Sequence, residues 1–318
     1  PLIHIHLGYY LAKQGRDEEA LKSYTAAGGL EPDFVFPHLM ESAEALTDAI
    51  SANAKDWKAH YYLGNLLFGR HRYEEAIAEW LKAAELTEGF SVLHRNLGLA
   101  FKEIRSDLAK AAEAYEKAVG YARNDPTLYI ELDQVYEALQ LQDRRLKLLE
   151  NAPPDVLTRG DIAQRLASLY VEIGDYGRAA KLLGEVTFTP REGYLGVRAI
   201  YEEAYMSRGK QRFEARDLAG AVEDFHAAME YPANIGVGAP AKRRDAEALG
   251  WLAVTYEALG NTDKARECWE KTVLEDHRAQ RELDYYSALA LQKMGRDAEA
   301  TNVLRGLVEY ADAGIRFR

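Results

Sequence analysis

A glycine, an alanine and an aromatic side chain return along this chain at intervals of about 34 residues, a beat that a fold with one central core has no reason to keep. The first cycle reads Leu7-Gly8, Leu11, Gly15, Ala20, Tyr24, Ala27 and Pro32. The same offsets come back as Leu63-Gly64, Leu67, Ala76, Trp80 and Ala83, and again as Leu166-Ala167, Tyr170, Gly174, Ala179, Leu183 and Val186. Within a cycle the apolar residues fall three and four apart, as in Tyr62, Leu63, Leu66 and Leu67, which is the stripe of an amphipathic helix. A turn such as Gly174-Asp175-Tyr176 then leads into a second helix of the form Glu-Ala-x-x-x-aromatic. Small residues let the two helices touch, and the large one fills the gap beside them. One such hairpin leaves its outer stripe bare, so each unit needs the next.

With the Leu-Gly pair as a ruler, the units fall near 1–34, 57–90, 91–125, 126–159, 160–193, 202–235, 246–279 and 281–314, a single array over 1–318. These offsets resemble the tetratricopeptide repeat. The resemblance implies an all-α fold, a right-handed α-α superhelix of about eight helix-turn-helix repeats. Three interruptions depart from it. Residues 35–56 are extra, and Pro37, Met40, Ala43, Ala45, Leu46, Ala49 and Ile50 predict one inserted helix there. The fourth unit replaces its alanine and aromatic with Asp143-Arg144-Arg145-Leu146-Lys147-Leu148-Leu149 and runs into Pro153-Pro154, which predicts a short or irregular second helix. Long junctions at 187–197 and 231–245 are expected to emerge on the same edge, one repeat apart, where two loops side by side can make a site.

At 318 residues the chain exceeds the size at which one compact core stops growing, a limit that a one-dimensional core avoids. Its net charge of −11 repels polyanions, and the longest basic run is Lys242-Arg243-Arg244, so nucleic acid is not an expected partner. The lone Cys268 excludes an internal disulfide and fits a reducing, cytoplasmic setting. No run of 18 apolar residues exists, so no membrane partner is expected. The chain opens on Pro1 in mid-pattern and reads as a segment of a longer protein.

Nothing in the sequence has the spacing of chemistry. The histidines at 4, 6, 38, 60, 71, 94, 226 and 277 form no helical metal pair with a nearby acid, although His60 and His94 share one register position in adjacent units. Cys268 lies beside the packing residue Trp269 with no base to activate it. Gly236-Val237-Gly238 follows no strand, and Glu18-Glu19 and Glu74-Glu75 sit where carboxylates favour a helix N-terminus. No catalytic residue, metal ligand or cofactor is expected, and the chain reads as non-enzymatic.

A narrower resemblance rests on Val35-Phe36-Pro37-His38, His60-Tyr61-Tyr62-Leu63-Gly64-Asn65, Arg95-Asn96-Leu97-Gly98-Leu99-Ala100, Glu131-Leu132-Asp133-Gln134, the run from Phe188 to Gly193, and Tyr231-Pro232-Ala233-Asn234-Ile235-Gly236. These look like a bacterial family in which the array follows an uncharacterised β-rich N-terminal domain; Arg191 departs from its pattern. In the generic repeat, fixed positions of the first helix face the inside of the superhelix. Carried over, they place Lys58, Tyr61, Asn65, Phe68, Arg95, Lys102, Gln134 and Arg165 on a peptide-binding face, with Val92, Leu99 and Thr127 among their neighbours. The two-carboxylate clamp known in such repeats finds Asn65 and Asn96 in place, but Tyr61, Thr127 and Glu131 where cations must stand, so it is rejected. Asn65 and Asn96 then read as a pair bonding to backbone or to a peptide. Phe188, Arg191, Glu192, Tyr194 and Asn234 make a candidate loop site. The leading expectation is a non-catalytic scaffold that binds a protein, a peptide or its own N-terminal domain. The alternative is an accessory domain shaping access to the active site of a larger, carbohydrate-active enzyme. A third reading is self-assembly, since Val303, Leu304, Leu307 and Val308 leave the final helix without a polar cap.

Overall fold

The computed structural model describes residues 1–189, 195–241, 243–274 and 283–316. Among them every regular element is a helix, and the helices fall into two compact units, Pro1–Val156 and Leu157–Arg318. The first unit holds α1 (Leu2–Lys13), α2 (Asp17–Gly28), α3 (Glu41–Ala52), α4 (Trp57–Gly69), α5 (Tyr73–Leu86), α6 (Ser91–Glu103), α7 (Leu108–Tyr121), α8 (Pro126–Ala138) and α9 (Gln142–Glu150). A single turn, α10 (Pro154–Leu157), lies at the boundary. The second unit holds α11 (Gly160–Glu172), α12 (Tyr176–Glu185), α13 (Leu195–Glu214), α14 (Leu218–Ala228), a 3-10 turn at Ala233–Ile235, α15 (Ala246–Ala258), α16 (Thr262–Leu274), α17 (Asp284–Lys293) and α18 (Asp297–Arg316).

One turn geometry closes all the hairpins. Gly15, His71, Ser106, Gln140, Gly174, Arg216, Gly260 and Gly295 each adopt a left-handed backbone, with φ from 51° to 78°, between the two helices of a pair. The next N–H, or nearly the next, reaches back to a carbonyl in the last turn of the first helix, as in Arg16 N–H to Leu11 O (3.0 Å) and Asp175 N–H to Tyr170 O (2.8 Å). This is the Schellman arrangement, which satisfies helix-end carbonyls while reversing the chain. Half of these positions carry a side chain where glycine is the easy choice.

The beat itself records how closely the paired helices approach. A Cβ on Gly64 would sit 2.4 Å from Trp80 Cδ1, one on Gly98 2.8 Å from the Tyr115 ring, and one on Gly209 2.7 Å from the Phe225 ring. In these three hairpins the aromatic of the second helix therefore lies directly against the backbone of the first. Ala76, Ala111 and Ala221 are fully buried beside these contacts.

The fourth hairpin solves the same problem with charge. Asp133 takes the register position of Gly64 and Gly98, and Arg145 that of Ala76 and Ala111. Arg145 Nε and Nη2 donate to the two Asp133 carboxylate oxygens at 2.8 and 3.2 Å, with both residues buried, and a further ion pair to Glu137 spans 3.0 Å. A guanidinium–carboxylate pair needs more room than a methyl against a glycine. Here α9 is only 9 residues long, against 14 in α5 and in α7.

Residues 41–52 form α3, which packs on α1 and α4. Its Asp48 accepts from the Tyr24 hydroxyl at 2.5 Å and its Glu44 from Tyr9 at 2.6 Å, while Ser42 meets His6 at 3.0 Å. It thus stands before α4 where a second helix of a preceding repeat would stand. At the 187–197 junction α13 already begins at Leu195, earlier than the Leu-Gly ruler places a unit start, because Val197 and Tyr201 are buried against the preceding hairpin.

Candidate peptide-binding face

In the first unit α4, α6 and α8 lie side by side, and their polar side chains bond from one repeat to the next. Asn96 Nδ2 donates to Asn65 Oδ1 at 3.3 Å, and the same oxygen accepts from Trp80 Nε1 at 3.1 Å. Asn65 is therefore held from two sides. Arg95 grips Glu131 with a fork, Nε to Oε2 at 2.8 Å and Nη2 to Oε1 at 2.5 Å, so the glutamate that the clamp cannot tolerate serves as the partner of a cation one repeat away.

Around this ladder the α6 stripe Val92, Arg95, Asn96 and Leu99 follows the spacing of one helix face. Val92 and Leu99 are each 41% exposed, although neither is on an outer loop. Thr127 is exposed, and Gln134 half-buried, on the neighbouring α8. Lys102, near the end of α6, pairs with Glu103 at 3.1 Å.

Among the other residues assigned to the face, Tyr61 and Phe68 are taken up in aromatic packing and Lys58 bonds elsewhere in the chain. Tyr61 is 4% exposed, its ring edge-on to Phe90 at 5.0 Å, and burial pushes its phenol above the ordinary range. Phe68 packs against Tyr73 and Trp80, with ring centres 5.0 and 5.1 Å away. The Lys58 ammonium turns aside to the carbonyls of Gly28 (2.8 Å) and Leu30 at the end of α2. Arg165 is half-buried on α11 in the second unit.

The loop residues divide in the same way. Phe188 is buried, closes over Gly160 and donates its N–H to Asn234 O at 2.7 Å. Asn234 Nδ2 in turn donates to the Leu183 and Val186 carbonyls at 2.8 and 2.9 Å, closing the C-terminus of α12. The two junctions are thus tied by a structural clasp. Arg191, Glu192 and Tyr194 lie outside the described residues.

Some groups escaped the sequence reading because their pairing crosses elements. Arg198 and Arg243 both lie over the Tyr231 ring, 4.3 and 5.4 Å from its centre, and donate to the Ala228 and Met229 carbonyls at the end of α14. Cations at a helix C-terminus oppose the helix dipole, but nothing in their spacing announces a shared aromatic. Buried Asp224 likewise accepts from both Arg208 and Arg212. His60 and His94 do not meet: His60 Nδ1 bonds Glu79 at 2.6 Å, and His94 stacks near Tyr121. Burial raises the pKa of the Cys268 thiol, which leaves it a packing residue. Among the described residues no group of three metal-ligating side chains converges, and no helix is long and apolar enough to cross a membrane.

Residues 38–89, which contain α3, α4 and α5, and residues 246–273, which contain most of α15 and α16, each match a tetratricopeptide repeat model. The cellulose synthase operon protein C of Xanthomonas axonopodis pv. citri is 24% identical over 269 residues, 81% of this chain and 17% of that protein, so the chain spans less than a fifth of its length. A solved complex of Naa15 and Naa10 bound to HypK-THB is 16% identical with a TM-score of 0.53, covering 86% of this chain and 40% of that one. YrrB, a repeat protein with an unusual peptide-binding site, is 19% identical with a TM-score of 0.37, over 80% of this chain and 99% of that one. With its left-handed hairpin turns, its glycine–aromatic contacts and these two matches, the chain is an array of tetratricopeptide repeats.

Proposed function

We propose that the chain is a non-catalytic interaction scaffold that captures a peptide along the α4–α6–α8 face of its first unit. The supporting observation is the stripe on α6: Val92 and Leu99 stay open to solvent while the polar groups beside them, Asn65, Asn96, Arg95 and Glu131, are held in place by one another. Ordered polar groups lose little freedom on binding, and two apolar side chains about two helical turns apart suit the side chains of an extended or helical segment. Gln134 and Thr127 supply hydrogen-bonding groups at the edge, and Lys102 a charge. Tyr61 and Phe68 form the floor.

The test uses peptides selected from a displayed library against the 318-residue chain. Replacing Val92 and Leu99 together with Asp weakens capture by about tenfold or more while helix content and melting temperature hold. Unchanged affinity in that variant sinks the assignment. Tyr61→Ala is not a suitable probe, because it opens a cavity in the core.

A second reading, an accessory segment of a larger polypeptide, draws support from the length of the Xanthomonas relative. It requires the longer protein to have an activity that is lost when this array is removed; an activity that persists without the array ends it.

A further inference from the structure

Since α3 stands where the second helix of a repeat belongs, the stretch before it takes the place of a first helix, and it does not become one. Residues 31–40 form no helix and follow α4 from its first turn to its end. At the start of α4 the Lys58 ammonium holds the Gly28 and Leu30 carbonyls. Just past its end an Arg70 guanidinium N–H donates to His38 O. Between these anchors Pro32 and Pro37 are buried and Val35 packs on the core of the first unit, while Phe34 and Phe36 on either side of it turn away, 92% and 69% exposed.

Lys58 and Tyr61 are positions that the repeat register gives to a bound peptide, and here they serve the chain's own segment. Trp57, Tyr61, Tyr62 and Phe90 form one aromatic cluster beside it, with neighbouring ring centres 5.2, 5.0 and 5.6 Å apart. Burial raises the phenols of Tyr61 and Tyr62, and the nearby Asp33 charge of the segment adds to it. Yet the segment is fastened loosely. No backbone–backbone hydrogen bond involves residues 31–38 among the described residues. Phe34 sits at φ 59°, a strained conformation for a residue with a Cβ, and the buried Tyr62 hydroxyl finds no hydrogen-bond partner. Prolines and one aliphatic side chain set against aromatic rings, with carbonyls gripped from outside, are the means by which extended proline-bearing segments are recognised.

We propose that residues 30–39 are a tethered ligand on the α4 end of the peptide face, and that the partner segment which displaces them is extended, apolar and proline-bearing. This rests on the peptide-capture reading above and adds its regulation. A segment on the same chain competes at high effective concentration, so a free peptide enters the α4 end only when the segment lets go.

A labelled synthetic peptide of residues 29–40, followed by fluorescence anisotropy, is the probe. Val35→Asp with Pro37→Ser disables the chain's own segment and leaves the side chains of α4 unchanged. That variant is expected to bind the peptide about tenfold or more tighter than wild type does. Adding Arg70→Ala to it is expected to reverse most of the gain, and a peptide carrying the same two changes is expected not to bind. Circular dichroism checks helix content; if the two substitutions lower it, Val35→Asp alone takes their place. Equal binding by wild type and variant, no binding to either, or undiminished binding of the altered peptide overturns the proposal. Capture of library peptides through Val92 and Leu99 is measured separately, so the tethered ligand can fail while the peptide face stands, and loss of that dependence fails the face itself.

Discussion

At the residue scale, Asp133 and Arg145 show how a repeat keeps its geometry after losing its signature. Each occupies a position that elsewhere holds glycine or alanine, and their forked pair at 2.8 and 3.2 Å fills the space between α8 and α9. Removing one member of a buried ion pair strands the other charge out of water, which costs about 3–5 kcal/mol. Asp133→Ala or Arg145→Ala is therefore expected to lower the urea midpoint severely. Asp133→Gly combined with Arg145→Ala, which rebuilds the small-residue contact of the other repeats, is expected to restore more than half of that loss. If the double variant is no better than the single ones, the pair does more than replace a small-residue contact. The sequence showed that the fourth unit was irregular, but the two residues are twelve apart, and nothing in their spacing said that they meet.

At the scale of elements, the hairpin turn and the inter-repeat clasp carry the stability that can be adjusted. Arg216 is exposed and holds φ at 66°, a left-handed conformation that costs a residue with a Cβ about 1–2 kcal/mol. Arg216→Gly is expected to raise stability by about 1 kcal/mol, relief of that strain offset by a more flexible unfolded chain; a thermal melt that falls instead contradicts the account. Asn234 closes α12 with two side-chain hydrogen bonds to carbonyls at its C-terminal end. Asn234→Ala is expected to cost about 1–3 kcal/mol, with faster amide exchange confined to the end of α12 and residues 187–189. Exchange that stays slow there refutes the clasp. Proline and glycine marked both junctions as loops, while the partners of Asn234, 48 and 51 residues away, became visible only in three dimensions.

For the whole molecule, acid response follows from burial and charge. Burial lowers the pKa of His94 and His226, so as pH falls the unfolded chain takes up protons before the folded one. Their contribution is complete above the ordinary histidine value of 6.5 and declines below it. Glu202, raised by burial, acts in the opposite sense. Between about pH 7.5 and about pH 5.5, wild type is expected to lose more melting temperature than His94→Gln; equal losses remove His94 from the explanation. Periodicity alone determined that this chain is helical, that its helices pair, and that each pair needs a neighbour, because small and aromatic residues at fixed offsets have one good packing solution. The family resemblance named Asn65 and Asn96 as a pair bonding to backbone or to a peptide; in the structure they bond to each other and to Trp80 instead. Tertiary structure decided which assigned residues are open and which are packed away: Tyr61 and Phe68 turn into aromatic contacts, Lys58 turns to the end of α2, and Val92 and Leu99 are left bare. Exposure depends on what a neighbouring helix covers, and a register repeated along one chain cannot state where that covering stops.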